Sequence, residues 1–188
     1  MSGPLPPAFY ARPTLEVLRS LIGKVLVHDR RACRTAGMIV EAEAYIGESD
    51  PACHAASGRT KRNAPLYGPP GRAYVYLNYG LHYLVNAVTE AEGFPAAVLI
   101  RALEPVEGLP LMARRRGRST DLCRGPGNLT LAMGINLRHN RADLTDGPLR
   151  IEDHGFTPDA VLWSPRIGIR VGTDRLWRCY WAGKDCGR

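Results

Sequence analysis

The stretch Ile39-Val40-Glu41-Ala42-Glu43-Ala44-Tyr45 places two carboxylates inside an otherwise apolar run. The run has the composition of a β-strand, in which alternate side chains share a face, so Glu41, Glu43 and Tyr45 should lie on one side of a sheet. Two glutamates in a strand most often form a solvated sheet face. The apolar surroundings favour instead a partly buried carboxylate, which could activate a water molecule.

A second stretch, Tyr74-Val75-Tyr76-Leu77-Asn78-Tyr79-Gly80, alternates aromatic and aliphatic residues and ends at a Tyr-Gly turn. The same alternation predicts Tyr74, Tyr76 and Asn78 on one face. Tyrosines in strands are ordinarily packing residues, and we assign Tyr74 to that class. Flat aromatic surfaces beside a carboxylate can also hold a planar, electron-poor ligand, which in a basic chain indicates chemistry on a nucleic-acid base.

The pattern of apolar residues and turn signals predicts a single α+β domain over residues 1–188, with a curved, mainly antiparallel β-sheet and flanking α-helices. Strands are predicted at residues 24–31, 37–45, 72–79, 81–88, 96–103, 149–152, 166–171 and 176–181, and helices at residues 14–22, 109–116 and 127–133. The proline-rich residues 1–12 should form an extended arm. The loop of residues 46–71 is long for a compact domain and should therefore be functional.

The chain has a formal net charge of +7, carried almost entirely by arginine. A basic chain favours a polyanionic partner, although the base composition of a genome can also replace lysine by arginine. The five cysteines form no C-x2-C pair, so we expect neither a disulfide framework nor a metal site, and no cofactor. Because no apolar run is long enough to span a membrane, we expect a cytoplasmic protein.

A series of short motifs follows in a fixed order along the chain. Its members are the quoted stretch 39–45, His54, Arg62-Asn63, Gly71 with Tyr74-Val75-Tyr76, Tyr79-Gly80, Asn86, Arg101-Ala102-Leu103-Glu104-Pro105 and Arg166-Ile167-Gly168. This series resembles the alkyladenine (3-methyladenine) DNA glycosylase family, from about residue 8 to residue 181. No single motif is decisive, but their order and spacing are highly specific.

The resemblance implies a base-excision-repair enzyme that flips a damaged purine nucleotide out of duplex DNA and hydrolyses its N-glycosidic bond. Glu43 would be the catalytic carboxylate that orients and deprotonates the attacking water. Arg101 and the main-chain carbonyl of Ile167 would hold that water. Glu41 is then a structural residue that pairs with an arginine. The chemistry agrees, since glycosidic cleavage develops positive charge on the sugar, which a carboxylate stabilises.

The resemblance also implies how the base is held. Tyr45, His54 and Tyr76 would form the walls around the flipped base, with the two tyrosines stacking on it. Asn86 would help to exclude undamaged guanine by a clash with its exocyclic amino group. Tyr79 would enter the duplex and fill the gap left by the flipped nucleotide. Stacking on tyrosine favours a cationic alkylated purine over its neutral parent.

The basic segment 59–63 would contact DNA phosphates through Arg59, Thr60 and Arg62. This chain has Asn128 where the family usually carries a lysine, which weakens any phosphate contact there. The short tail, residues 182–188, also departs from the usual family ending. The enzyme should act as a monomer in the bacterial cytosol or nucleoid, on double-stranded DNA that contains damaged purines.

The three lysines bear on the reaction type. A glycosylase that also nicks the backbone needs an amine nucleophile. Lys24 lies in the first predicted hairpin, Lys61 in the basic segment and Lys184 in the tail, so we expect base release without strand cleavage.

Two functions of other classes remain open from the residues alone. One is a non-catalytic protein that binds damaged DNA and recruits others. The second is a metal-dependent hydrolase that uses Glu41, Glu43, Asp50 and His54. Chelator sensitivity would favour the metal enzyme, and binding without base release would favour the binding protein.

Overall fold

The computed structural model describes residues 3–30 and 33–183. They form the predicted α+β fold, with one curved antiparallel sheet and helices packed on it. The described strands are β1 (Gly3–Pro4), β2 (Val25–Arg30), β3 (Cys33–Ile46), β4 (Ala73–Asn78), β5 (His82–Val88), β6 (Ala96–Glu107), β7 (Leu149–Asp153), β8 (Val161–Ser164) and β9 (Arg178–Trp181). The described α-helices are α1 (Pro7–Tyr10), α2 (Thr14–Leu21), α3 (Leu109–Arg116) and α4 (Pro126–Met133).

Strand β3 organises the sheet. The main strand order is β1-β7-β2-β3-β6-β5-β4, and every pair is antiparallel. One edge of β3 pairs with β2 in its first half and with β9 further along, and β8 pairs with β9. The other edge of β3 pairs with β6 over nearly its whole length. The carboxylate-bearing strand is therefore enclosed on both edges.

A β-bulge in β6 places Arg101 next to the carboxylates of β3. Glu41 lies opposite Ala102, whereas Ala42 lies opposite Ile100, so Arg101 is an additional residue between the two pairs. A bulge bends its strand and redirects a side chain. Arg101 consequently lies on the same face as Glu41 and Glu43, which the alternation predicted to share that face.

The hydrophobic core lies on the opposite face of the sheet. Its members include Ala42 and Ala44 of β3, which alternate with the glutamates, and residues of α2 and α4 such as Leu18 and Leu129. The glutamate face is covered by the long loop between β3 and β4 and by residues 166–177, which connect β8 to β9. The helices support the sheet from behind and leave this face for the site.

The first residues correct the expectation of an extended arm over residues 1–12. Gly3–Pro4 pairs with β7, and the Leu5 amide donates to the Ile151 carbonyl at 2.8 Å. Leu5 and Tyr10 are buried in the core. Proline can occupy an edge strand, so the prolines that indicated an arm are compatible with a docked segment.

Residues 166–171, predicted as a strand, are an irregular loop, and β8 precedes them instead. Gly168 and Gly172 have φ angles of 79° and 62°, which interrupt an extended backbone. The apolar alternation of Ile167, Ile169 and Val171 does not mark a sheet face, because all three side chains line a cavity. The predicted 96–103 strand also continues further, to Glu107.

The loop of residues 46–71 carries two short 3₁₀ turns, His54–Ser57 and Ala64–Tyr67. A third 3₁₀ turn is Leu137–His139. Within the part of the chain that the structure describes, no helix is long and apolar enough to cross a membrane.

Candidate active site

Strand pairing aligns one row of side chains across five strands. Arg178 lies opposite Glu43, Glu43 opposite Leu99, Leu99 opposite Asn86, and Asn86 opposite Tyr74. Directly opposed residues project from the same face of a sheet. Glu43 and Tyr74 are some thirty residues apart in the sequence. The motifs that contain them therefore lie on one surface.

A cavity of about 660 Å³ opens on this face. Its lining includes all four residues predicted to hold a base, as well as Arg101, Tyr79 and Ile167. The predicted four are Tyr45, His54, Tyr76 and Asn86. Sequence reasoning did not assign the remaining walls to the site, which are Ala52, Leu66, Tyr74, Asn78, Leu84, Ala97, Leu99, Pro126 and residues 168–171. Of these, Tyr74 and Asn78 could have been found from the sequence, because the alternation along β4 places them on the same face as Tyr76.

Glu43 lies directly behind the cavity wall, with a fully buried side chain. Three donors hold its carboxylate. The Tyr45 hydroxyl and Arg101 Nη1 donate to Oε2 at 2.9 and 3.2 Å, and the Ile167 amide donates to Oε1 at 2.7 Å. The sequence predicts a role for the Ile167 carbonyl, whereas the contact that the structure gives is made by its N–H.

Burial raises the pKa of Glu43 above the ordinary value for glutamate. The charge of Arg101 and the hydrogen bonds from Ile167 and Tyr45 oppose that rise. Burial also raises the pKa of the Tyr45 phenol, so Tyr45 keeps its proton and remains a donor. The result is a carboxylate more basic than an exposed one, fixed in orientation before any ligand binds.

Glu41 has the arginine partner that the sequence predicts, and a second one. Arg101 Nε donates to Glu41 Oε1 at 3.1 Å, and Arg178 Nε donates to the same oxygen at 2.6 Å. Arg101 thus bridges the two buried glutamates. Such sharing limits the repulsion between carboxylates in a poorly solvated site.

The aromatic wall is tied together by His54. Its Nδ1 lies 2.9 Å from the Tyr74 hydroxyl, and its ring centroid lies 4.5 Å from that of Tyr76. Burial, with a smaller contribution from the nearby charge of Arg62, lowers the pKa of His54. His54 is therefore neutral at pH 7. Tyr74, assigned to packing from the sequence, also lines the cavity and holds the His54 ring through this contact.

The Asn86 amide is also fixed. Its Nδ2 donates to the Tyr74 carbonyl at 2.9 Å, and the residue is 4% exposed. This bond fixes the orientation of the Asn86 amide within the cavity wall.

Tyr79 occupies the tip of the β4–β5 hairpin. It is 88% exposed, and its φ of 48° is followed by a φ of 71° at Gly80. Two successive positive φ values, with the Leu81 amide donating to the Asn78 carbonyl at 3.0 Å, define a type I′ turn. An aromatic residue in this conformation is strained, and such strain concentrates at functional sites. Leu81, which sequence reasoning did not single out, is 76% exposed beside it.

The basic loop, residues 59–63, lies beside the aromatic wall. Arg62 Nη2 donates to the Leu77 carbonyl at 3.2 Å, and its guanidinium lies 5.9 Å from the Tyr76 ring centroid. Arg59 lies 5.2 Å from the Tyr67 ring centroid. Asn63 shapes the loop by accepting from the Thr60 amide at 2.6 Å. The exposed Arg59, Thr60 and Arg62 are thus carried on an ordered turn.

The metal-hydrolase alternative requires Glu41, Glu43, Asp50 and His54, and each of these side chains binds another protein group. Asp50 forms a bidentate pair with Arg166, and Glu41 and Glu43 share Arg101. Over residues 3–30 and 33–183, no three His, Cys, Asp or Glu side chains are arranged to hold a metal ion. This geometry gives the metal-hydrolase alternative no support.

Asn128 lies in the first turn of α4, and its Nδ2 donates to the Arg124 carbonyl in the preceding loop at 2.6 Å. Of the tail, residues 182 and 183 are described, and the Ala182 amide donates to the Ala160 carbonyl at 3.0 Å. The remainder of the tail, including Lys184, lies outside the described residues.

Residues 8–185 match the family model described as methylpurine-DNA glycosylase. A relative from Chlorobium phaeobacteroides is 52% identical over 178 residues, which cover 92% of this chain and 88% of the relative. Another from Methanocella arvoryzae is 49% identical over 97% of this chain and 94% of its own length. One from Myxococcus xanthus is 51% identical over 88% and 81%. Each bears the name "Putative 3-methyladenine DNA glycosylase".

These matches make the protein a DNA N-glycosylase, which is a hydrolase that acts on DNA. Within that class, the chain belongs to the methylpurine-DNA glycosylase family.

Proposed function

We propose that this protein removes alkylated purines, such as 3-methyladenine and 7-methylguanine, from double-stranded DNA and leaves an abasic site. Hypoxanthine and ethenoadenine are further candidate substrates. The damaged nucleotide turns out of the duplex into the aromatic cavity. A water molecule then attacks the sugar carbon, its proton passes to Glu43, and the base departs with the electrons of the glycosidic bond.

The observation that carries this proposal is the position of the Glu43 carboxylate. It is fully buried directly behind the wall of a cavity of about 660 Å³. Among the described residues, Oε1 receives one hydrogen bond, from Ile167, and so retains a lone pair for a water molecule. Arg101, which bridges Glu41 and Glu43, is the second group at which that water would be held.

Selection of the base would rest on the cavity walls. Alkylation at N3 or N7 makes a purine cationic, and a cation is attracted to the faces of Tyr45 and Tyr76. Neutral lesions leave less readily, so their release requires protonation of the leaving base or strong hydrogen bonds to it. His54, neutral at pH 7, would hold the base by hydrogen bonding rather than act as a strong acid. Asn86 would reject guanine by a clash with its amino group.

Opening of the duplex would depend on the hairpin tip and the basic loop. Tyr79 is exposed and projects from a tight turn, which suits a side chain that enters the base stack. Arg59, Thr60 and Arg62 would contact phosphates, which position a protein without specifying sequence. The enzyme would act as a monomer in the bacterial cytosol or nucleoid, without a cofactor.

Base release should occur without strand cleavage. Lys24 is engaged by Asp153 at 2.7 Å, and neither Lys24 nor Lys61 lines the cavity. We therefore expect no Schiff base with the abasic sugar. Sodium borohydride added during the reaction should trap no covalent protein–DNA adduct. An adduct would contradict the proposed monofunctional reaction.

The function is tested by base release in EDTA from duplex oligonucleotides that contain 7-methylguanine or hypoxanthine. Abasic sites are scored by alkaline cleavage. The wild type should release base, and Glu43→Gln should not, although it should still bind the duplex. Glu16→Gln, an exposed change on α2, is the matched control and should release base normally.

The other outcomes separate the alternatives. Binding of the lesion by both proteins without release would favour the binding protein. Release that is lost only in EDTA would favour the metal hydrolase. Equal release by the wild type and Glu43→Gln would retain the glycosylase and assign the chemistry to another carboxylate.

A further inference from the structure

A buried ion pair lies immediately behind the site and takes no part in the mechanism described above. Arg166 Nη1 and Nη2 donate to Asp50 Oδ2 and Oδ1 at 2.6 and 2.8 Å, and both side chains are 0% exposed. Although burial opposes it, the hydrogen bonds and charge of Arg166 hold the pKa of Asp50 below its usual value. The pair therefore stays ionised, and bidentate pairing restricts the guanidinium to one plane.

The guanidinium of Arg166 supports one wall of the cavity. Its Cζ atom lies 4.7 Å from the centroid of the Tyr45 ring and 5.2 Å from the centroid of the Trp177 ring. Tyr45 lines the cavity and Arg166 does not, so the tyrosine ring stands between the guanidinium and the cavity. Arg166 therefore packs behind the Tyr45 ring, on which a base would stack, and restricts its position.

The same arginine fixes the backbone that holds the carboxylate. Arg166 Nη1 also donates to the Ala44 carbonyl at 3.0 Å, and Nη2 donates to the Gly172 carbonyl at 3.4 Å. These bonds tie the irregular loop of residues 166–172 to strand β3. The next residue after the arginine is Ile167, whose amide donates to Glu43. Among the described residues, Arg166 Nε has no acceptor, so the two Nη groups make all of these polar contacts.

We propose that Arg166, held by Asp50, is a positioning residue that fixes both the Tyr45 ring and the Ile167 amide, and through that amide sets the orientation of Glu43. This inference rests on the proposed function only for its effect on rate. The coupling to Glu43 is a property of the free protein. One buried pair would thereby join the base-stacking wall to the group that activates water.

The test must separate position from charge, since Arg166 also acts on Glu43 as a nearby cation. Arg166→Lys keeps the charge beside Asp50 but loses the bidentate plane and cannot make both carbonyl contacts. Arg175→Lys is the matched control. Arg175 lies 3.5 Å from Asp50 Oδ1 and over the Trp177 ring, and it has no contact with Tyr45.

The first measurement is a ¹³C NMR titration of the Glu43 carboxyl carbon in each protein without DNA, assigned with Glu43→Gln. The groups that face this carboxylate are Glu41, Arg101, Tyr45, the Ile167 amide and, as a nearby cation, Arg166. Weakening the Ile167 bond removes a donor to the charged form, so the pKa of Glu43 should rise by about 0.5–1 unit in Arg166→Lys. It should stay at the wild-type value in Arg175→Lys.

The second measurement is the single-turnover rate of base release, with duplex binding measured separately. Arg166→Lys should release base about 10-fold more slowly, because small misplacements of reacting groups are costly, with binding unchanged within about twofold. If Arg166→Lys does not fold, Asp50→Asn/Arg166→Met removes both charges, and its Asn keeps an acceptor for the Ala52 amide that Asp50 binds. The same two readouts then apply.

The outcomes distinguish this inference from the proposed function. A Glu43 titration and release rate in Arg166→Lys equal to the wild type overturn the positioning role, even if the variant is less stable. A shifted titration in a protein whose wild type releases no base would support the positioning role and overturn the proposed function.

Discussion

The carboxylate cluster, Glu41, Glu43, Arg101 and Arg178, and the tip of the β4–β5 hairpin adjoin one cavity but are built in opposite ways. Every charged group in the cluster has a partner of opposite charge within 3.2 Å, and Glu43 is fully buried. Tyr79 at the tip is 88% exposed and has an unfavourable backbone conformation. In the proposed mechanism, the carboxylate that activates water is oriented before the substrate arrives, whereas the side chain that enters the duplex obtains its contacts from the DNA.

This contrast predicts opposite relations between stability and activity in the two regions. A buried charge that loses its partner is strongly destabilising, so changes in the cluster should reduce both stability and base release. At the tip, the strained residue contributes nothing to packing. A substitution there can raise stability and still reduce base release.

The largest effect is expected for Arg101→Met. Two buried glutamates then lose the cation that they share, and the pKa of Glu43 rises further above its ordinary value. We expect base release at pH 7 to fall about 1,000-fold and the free energy of unfolding to fall by about 3–5 kcal/mol. Single-turnover kinetics and urea unfolding measure these two quantities.

The control for that change is Arg34→Met, at the far end of the same pair of strands. Arg34 is 35% exposed and lies 2.9 Å from Glu107, so its loss should cost little stability and no activity. If Arg101→Met does not fold, Arg101→Lys provides a second measurement, with retained charge but poorer geometry for two carboxylates. Normal release by either Arg101 variant would show that the cluster is purely structural.

A smaller effect on release is expected for Tyr79→Asn. Asparagine tolerates a positive φ better than tyrosine, so the free energy of unfolding should rise by about 0.5–1 kcal/mol. Release from duplex DNA should nevertheless fall about 10- to 100-fold, because the side chain proposed to fill the gap in the duplex is lost. Thermal unfolding and single-turnover release on the same lesion measure both.

Tyr79→Phe retains the ring and is the matched control. It should release base at close to the wild-type rate, with the strain of the turn unchanged. A Tyr79→Asn variant that is more stable than the wild type and equally active would show that Tyr79 has no role in base release. The hairpin tip would then not differ from the carboxylate cluster in the way described above.

The sequence predicted the local parts of this site better than its long-range contacts. Alternation along β3 and β4 put Glu43 and Tyr45 on one face, and Tyr74 and Tyr76 on one face, because strand geometry is a local property. The bulge that brings Arg101 to both glutamates depends on the register of two strands and was not predicted. The roles of Arg101 and Ile167 came from the family resemblance and remain predictions.

The errors have a common physical origin. The alternation of Ile167, Ile169 and Val171 looks like a strand, but these residues form a cavity wall, and Gly168 turns the backbone. The prolines of residues 1–12 suggested an arm, but Leu5 and Tyr10 find places in the core. The pair between Asp50 and Arg166 joins residues 116 positions apart. In each case tertiary contacts, which periodicity does not encode, decided the structure.

The basic loop should affect release through binding alone. Arg59→Ala and Arg62→Ala each remove one candidate phosphate contact, which should reduce the slope of log K against log salt concentration by about 1. At saturating protein, the single-turnover rate should change less than threefold. Binding measured between low and high salt tests this, with Arg19→Ala, an exposed change on α2, as the control. An unchanged slope in both loop variants would exclude the loop from DNA binding.

A buried polar contact remote from the cavity provides the final comparison. His28 Nδ1 lies 2.8 Å from the Met133 carbonyl, and its Nε2 lies 3.1 Å from His139 Nε2. A carbonyl only accepts, so His28 donates from Nδ1, and its neutral ring accepts from His139 Nε2. His139 Nδ1 accepts from the Asn136 amide at 3.1 Å, so the His139 ring is neutral as well. Burial, with nearby arginine charges, lowers the pKa of His28 to about 4.

This contact should make stability, but not base release, depend on pH. An unfolded chain binds a proton at His28 near its ordinary value of about 6.5, whereas the folded protein binds it only near pH 4. The unfolded state therefore holds more protons between these values, and stability falls as the pH is lowered from 6.5 towards 4. His28 alone changes the free energy of unfolding by up to about 1.4 kcal/mol per pH unit.

Urea unfolding at pH 7 and pH 5 should show that the free energy of unfolding falls less in His28→Gln than in the wild type, with equal base release at pH 7. Reduced base release by His28→Gln at pH 7 would show that a buried polar contact remote from the cavity also affects the reaction. The comparison between the carboxylate cluster and the hairpin tip would then not account for base release by itself.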